Sequence, residues 1–343
     1  MKLSRASLHD VAAHAGLSLA TVSRVLSGST YSIREETRKR VEQSARELGY
    51  RPNAIARALA TNVNRTIGVI IGDITDIYFA ELVRGVEDIA RSQGYMTVIC
   101  NAERSPVQEM AYLRALHGQN VAAILLAGGY YPDSDQNQDL VETIQEVARE
   151  VRVTCLTDRH IPGIPVVTVD IHSVTYDITR YVIGLGHKRI AYVRGPDGFS
   201  VSLDQQRGFE DAMHEVGLDA SWQLSGGFGL EYGRQAATFL LANALPDAII
   251  AASDDVAVGI TSTLRQAGIA VPGGISVAGI DDAKYSQLLD LTTVRLPAYE
   301  IGATGAKLAL GIRGNHKTPR TIIAHRVIVR GSTALGTTVG SQP

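Results

Sequence analysis

Cysteine is scarce. Cys100 and Cys155 are the only two in 343 residues, and each lies inside an apolar, strand-like run. Both read as small core hydrophobes, and a disulfide-stapled scaffold is excluded. Long hydrophobic runs are missing too: none approaches the roughly 18 residues needed to span a membrane. Met1-Lys2-Leu3-Ser4-Arg5 leads into polar text with no apolar signal core, so a cytoplasmic location is expected. Catalytic signatures are absent as well. There is no G-x-x-x-x-G-K-[ST] phosphate loop and no G-x-S-x-G elbow. Gly184-Leu185-Gly186 lacks a third glycine and falls between a helix and a strand, the wrong order for a dinucleotide loop. His214-Glu215 runs on to Leu218 with no second histidine. His9 and His14 lie on one short helix and read as surface or DNA-facing groups rather than metal ligands. An enzyme reading therefore finds no machinery, and neither a cofactor nor a metal is expected.

What is present is ordinary globular composition, 45% apolar and 20% charged, with length for more than one domain. The charge is unevenly placed. Residues 1–62 hold ten lysines and arginines against five acids, a net +5 that leaves −7 on the remainder for an overall −2. A basic head on an acidic body suggests that the head alone meets a polyanion.

The first 48 residues read as three short helices. Ser7 can cap Leu8 to Ala15, which carries Leu8, Val11, Ala12 and Ala15 on one face. Gly16 supplies a left-handed turn residue, and Leu17 is expected as a buried plug. Ser18 then caps about Leu19 to Leu26, with Val22, Val25 and Leu26 inward and Leu19, Ala20, Thr21, Ser23 and Arg24 outward. A third helix is expected from about Arg34 to Leu48, ending at Gly49. Two such short helices joined by a Gly-containing turn match a helix-turn-helix, whose second helix enters the major groove of DNA. Pro52 and Asn53 then open a short helix over Ala54–Ala60, followed by the linker-like "TNVNRT".

From residue 66 the text alternates apolar strands with amphipathic helices. Strands are expected at 66–73, 95–102, 121–129, 151–158, 165–170, 189–195, 247–255 and 275–282; helices include Phe79–Gln93, Thr175–Leu185, Gln205–Val216 and Val256–Ala267. This predicts an α/β core of parallel sheets covered on both faces, large enough for two lobes. Ligands of such sheets sit beyond the carboxyl ends of the strands. Asp73, Asn101, Asp158, Asp170, Ser253-Asp254-Asp255 and Asp281-Asp282 all fall there. Two facing lobes would then form a cleft rich in acceptors, suited to a neutral polyol or sugar. The competing reading is that each acid caps the helix that follows it.

Several blocks of this chain resemble, in order, the lactose-repressor (LacI/GalR) family of bacterial transcription regulators. They include "SLHDVAAHAGLSLATVSRVLSG", "TRKRVEQSARELGYRPNAIARALAT", "YFAELVRGVEDIARSQGY", "LGHKRIAYVRGP", "RGFEDAMHEVGL", "SDDVAVGI", "VPGGISVAGIDD" and "LTTVRLP". The resemblance implies a helix-turn-helix headpiece over 1–49 and a hinge helix with linker over 50–65. It implies a two-lobed, periplasmic-binding-protein-like core over 66–343. The lobes would take about 66–168 with 298–325, and 169–297 with 326–340. It implies a repressor that binds a palindromic operator as a homodimer under control of a small sugar, polyol or nucleoside. Leu19 and Ala20 correspond to the family's base-choosing pair; Thr21, Ser23 and Arg24 match neighbouring contacts. Asn53, Ala56, Arg57 and Leu59 fall on the hinge helix, where the leucine wedges a central base step in the minor groove.

By position, the family's effector cleft maps onto Asp73, Tyr78, Phe79, Asp158, Phe228, Asp254 and Asp281. Gln205 stands where the family usually has a ligand-gripping arginine, and Asp170-Ile171 where it often has Asp-Asn. A glutamine offers no charged fork, which argues against an anionic ligand at that spot. The residues 331–343 show no leucine heptads, which favours a dimer over a tetramer. Three other readings stand beside this one: a DNA-binding regulator without an effector, a solute-binding protein and an enzyme.

Overall fold

The computed structural model describes residues 6–26, 33–50, 64–312 and 320–336. Packing divides the chain into two compact units, Met1–Arg65 and Thr66–Pro343. In the first, α1 (Leu8–Ala15), α2 (Leu19–Leu26) and α3 (Glu35–Glu47) enclose a small core of Val11, Ala15, Val22, Val25, Val41 and Ala45. Ser7 and Asp10 form a reciprocal capping box on α1: Asp10 N donates to Ser7 Oγ (3.2 Å) and Ser7 N donates to the Asp10 carboxylate (2.7 Å). Gly16 ends α1 in the left-handed region at φ 62°. Leu17 is half-buried against the core rather than a sealed plug.

The second unit holds two parallel sheets. The first runs β11-β5-β4-β3-β1-β2, built from β1 (Thr66–Ile71), β2 (Met96–Asn101), β3 (Ala123–Leu126), β4 (Arg152–Cys155), β5 (Val166–Thr168) and β11 (Arg320–Ile322). The second runs β7-β6-β8-β9, from β6 (Ile190–Arg194), β7 (Gln223–Ser225), β8 (Ala248–Ala251) and β9 (Ser276–Ala278). β10 (Thr293–Arg295) and β12 (Arg326–Ile328) form a separate antiparallel pair. The central strands are fully buried, as strands covered on both faces must be. β2 differs. It is an edge strand, and Met96 and Ile99 are exposed. The three-residue strands β7, β10, β11 and β12 were not expected from the sequence. None carries a long apolar run, and their pairing depends on partners distant in the chain.

Helices cover both sheets: α4 (Ile77–Ser92), α5 (Pro106–Gly118) and α6 (Asp135–Ala148) in the first lobe, α7 (Ile171–Gly184), α8 (Ser200–His214), α9 (Leu230–Asn243) and α10 (Asp254–Gln266) in the second. A short α11 (Lys284–Leu288) precedes α12 (Ala298–Ala309), which returns to pack on α4. That pair crosses at backbone contact. A Cβ on Gly302 would lie 2.0 Å from the Leu82 carbonyl oxygen, and one on Gly85 would lie 2.1 Å from that of Tyr299. Helix-interior glycine weakens the helix itself, so its gain here is the close approach. α7 begins a turn earlier than the apolar pattern suggests, because Asp170 caps it through the Ser173 amide (3.3 Å).

Candidate functional site

The first candidate surface is α2. Ser18 Oγ accepts from the Thr21 amide (3.2 Å), so the helix starts with a satisfied cap. Val22 and Val25 are buried, while Leu19, Ala20 and Arg24 are exposed and Ser23 is half-buried. The Thr21 hydroxyl is paired with Ser18 Oγ at 2.8 Å, so the cap holds it close to the backbone. Arg40, one of the ten basic groups of the head, has a structural task. Its Nε donates to the Ala15 carbonyl (2.7 Å) and its Nη2 to that of Gly16 (3.1 Å), which ties α3 to the helix-turn-helix turn. Asn53, Ala56, Arg57 and Leu59 lie outside the described residues.

The second candidate is a cleft in the larger unit, beyond the carboxyl ends of both sheets. It is partly open to solvent. Tyr78, Phe79, Gln205, Phe228 and Asp281 line it. Phe199 and Phe228 meet edge to face with centroids 6.1 Å apart, and Tyr78 and Phe79 do the same at 5.3 Å. Aromatic and aliphatic side chains thus make most of the wall, an apolar surface suited to a ring face.

At one side the lobes are already joined. The Ser200 amide donates to the Tyr130 carbonyl (2.8 Å), and the Tyr130 amide donates to Ser200 Oγ (3.0 Å). Behind the Gly128 wall, Arg159 donates to the Gly128 carbonyl (3.2 Å) and pairs with Glu109 (2.8 Å) in a buried position.

Most of the strand-ending acids are committed elsewhere, and three expected cleft residues do not line it. Asp254 has no exposed surface. It accepts from the Ala283 amide (2.9 Å) and the Ser286 and Thr293 hydroxyls (both 2.5 Å), which fixes the segment after β9 to α10. Asp73 accepts from the Thr75 amide (3.0 Å) and hydroxyl (2.6 Å) and pairs with Arg104. Asp158 accepts from the His160 amide (2.9 Å) and pairs with Arg320 (2.8 Å). The capping alternative describes Asp170, the N-cap of α7; Asp73, Asp158 and Asp254 instead hold turns and neighbouring segments. Asp281 is the one that reaches the cleft, on a backbone with φ 128°. Burial, reinforced by Asp254 and Asp76, pushes its carboxyl well above the usual range. Gln205 lines the cleft, and its amide is partly engaged. Nε2 donates to the Ala252 carbonyl (3.1 Å), and Oε1 accepts from the Tyr192 hydroxyl (3.2 Å).

Sequence reasoning missed Arg104, Asp76 and Phe199, all of which line the cleft; Ser253, named there as a strand-end group, lines it too. Ser253 caps α10 and donates from Oγ to the Phe228 carbonyl (2.6 Å), holding that ring's loop. Arg104 follows β2 in a turn where Glu103 (φ 52°) and Arg104 (φ 55°) are both left-handed. Such backbone costs on the order of 1–3 kcal/mol per non-glycine residue and persists where surrounding contacts hold it. The one signal in the text was a polar stretch after an apolar strand, and that does not say which side chain enters the cleft.

Comparison with known proteins gives the family and the fold. The family described as "Bacterial regulatory proteins, lacI family" matches residues 7–53, and "Periplasmic binding protein-like domain" matches residues 179–333. Catabolite control protein A of Staphylococcus xylosus is 33% identical over 333 residues, covering 95% of this chain and 99% of the relative. The HTH-type transcriptional regulator RegA of Clostridium saccharobutylicum is 32% identical over 342 residues, with 95% and 99% covered. Among solved structures, the lac repressor dimer bound to operator and the anti-inducer ONPF shares the fold with a TM-score of 0.85 at 24% identity, over 96% of this chain and 100% of that one. The CelR–cellobiose complex aligns with a TM-score of 0.66 at 26% identity, over 96% and 100%. A ribose-bound regulator from Enterococcus faecium gives 0.68 at 27%, over 79% and 99%. The chain belongs to the lacI family of bacterial regulatory proteins, a family of helix-turn-helix transcription regulators and not of enzymes.

Proposed function

We propose that the chain is a repressor that binds a two-fold symmetric operator as a homodimer, controlled by a small uncharged sugar, polyol or nucleoside held in the cleft. The observation that carries this reading is the combination in one chain of an outward-facing recognition helix and an aromatic-walled cleft at the carboxyl ends of two parallel sheets. Leu19, Ala20, Thr21, Ser23 and Arg24 read the major groove. Asn53, Ala56, Arg57 and Leu59 form the hinge helix and enter the minor groove. In the core, Tyr78, Phe79 and Phe228 stack against the effector, and Asp281 faces its hydroxyl groups. The operator-bound lac repressor dimer and the cellobiose and ribose complexes of other regulators support this division of labour. Exposed Met96 and Ile99 on the edge strand β2 support self-association.

A gel shift with the protein's own upstream intergenic DNA tests it. Arg24→Ala and Leu59→Ala should each weaken binding by about tenfold or more, the scale of a lost base contact or wedge. Affinity should also fall steeply with salt, because phosphate contacts release counterions. Unchanged binding in both variants would sink the residue assignments.

A further inference from the structure

The cleft contains a cation that the effector reading above did not use. Arg104 comes from the first lobe, where its Nη1 pairs with Asp73 (2.8 Å) and its Nη2 with Asp76 (3.3 Å). Its guanidinium carbon lies 5.5 Å from the centroid of Phe228, a residue of the second lobe. The left-handed backbone at Glu103 and Arg104 and the Arg104 amide, which donates to the Gly72 carbonyl (2.9 Å), aim the side chain inward. The group thus spans the cleft, neutralised from one side and stacked from the other.

We propose that Arg104 is the specificity-determining residue of the effector cleft: shared between Asp73 and Asp76 and stacked on Phe228, it admits an uncharged hydroxyl-bearing ligand and discriminates against anionic ones. This rests on the effector reading of the preceding section. An exposed arginine in a pocket would attract phosphate or carboxylate. Here an incoming anion must compete with two carboxylates already in place on the guanidinium. Gln205 has one amide N–H given to the Ala252 carbonyl, and what remains is an uncharged donor, weaker toward an anion than a guanidinium. An uncharged ligand has no such competitor. It can donate hydroxyl protons to Asp76 and Asp281 and lay an apolar face on the aromatic wall. The arginine that the family usually places at position 205 is in this sense replaced from the opposite lobe, but with its charge already cancelled.

The test uses the full-length chain and matched pairs of uncharged compounds and their phosphate esters: ribose and ribose 5-phosphate, glucose and glucose 6-phosphate, adenosine and AMP. Binding is read by thermal shift and calorimetry. At least one uncharged member should bind, and its ester should bind about tenfold more weakly or worse, about 1.4 kcal/mol. In the Asp73→Asn/Asp76→Asn double variant the gap should close or invert, because Arg104 is then unpaired. Asparagine keeps the Asp76 helix cap and the Asp73 turn, and a cooperative melt reports that the variant is folded. Arg104→Met should weaken the uncharged ligand without creating ester binding. An ester that binds the unaltered chain as well as its parent, or a gap that the double variant leaves untouched, overturns the proposal while the effector reading stands. No binding by any member of either series overturns the effector reading, and this proposal with it.

Discussion

At the scale of single residues, the site is decided by which polar groups are already engaged. Asp254 ends β8 where a ligand-facing acid is expected, yet three donors converge on it in a buried position. Asp254→Ala would leave those donors unpaired and should lower core stability by about 2–4 kcal/mol in urea denaturation. The effect should depend on pH. Burial raises the Asp254 carboxyl to about 6. Between about pH 4 and 6 the folded state then holds a proton that the unfolded state has released. This group's contribution is therefore greatest at the acid end and declines as pH rises through that window. The stability difference between the unaltered chain and Asp254→Ala should shrink accordingly; a difference that grows with pH would contradict the assignment. Arg104 teaches the same lesson from the other side. Its carboxylate partner Asp73 is 31 positions away and its ring partner is in another lobe, so no local pattern announces it.

At the scale of elements, the helix-turn-helix was legible because its determinants are local. Ser7, Gly16 and Ser18 each act within three residues of themselves through caps and a left-handed turn. Arg40 was not legible, because its role depends on carbonyls 24 and 25 residues earlier. Arg40→Met should destabilise the headpiece by about 1–2 kcal/mol, the scale of two lost hydrogen bonds to a charged donor. It should weaken operator binding through folding, and circular dichroism of the isolated transition would register the loss before any DNA is added. In the core, the crossing of α4 and α12 depends on glycine at the contact. Gly302→Val should push the helices apart and cost about 1–3 kcal/mol or more in thermal melts, because the obstructing atom is a backbone carbonyl that cannot rotate away. A melt within about half a kcal/mol of the unaltered chain would show that the helices yield more easily than their packing suggests.

At the scale of the whole molecule, control of DNA binding is a coupling between two sites, and thermodynamics makes it reciprocal. Whatever factor the effector imposes on operator affinity, operator DNA must impose on effector affinity. Calorimetric titration of effector with and without operator should return the same factor as gel shifts with and without effector. A factor of one in both titrations would mean that the cleft ligand and the operator are uncoupled, and would overturn effector control.

The amino-acid text by itself determined the class of the longer elements, though not the three-residue strands β7, β10, β11 and β12, together with the basic head on an acidic body and the placing of polar groups at strand ends. Those follow from periodicity, caps and composition, which act over a few neighbouring residues. The residues Tyr78, Phe79 and Phe228 were named through family resemblance, since nothing in their spacing distinguishes a cleft wall from a core. The tertiary structure alone decided which strand-end acids line the cleft and which brace the fold. Asp281 reaches the cleft, Asp254 is spent inside the wall, and Asp73 and Asp76 hold an arginine that local patterns do not point to. A carboxylate goes to whichever donors folding brings nearest, and those donors come from segments that meet only when both sheets and their crossings are assembled.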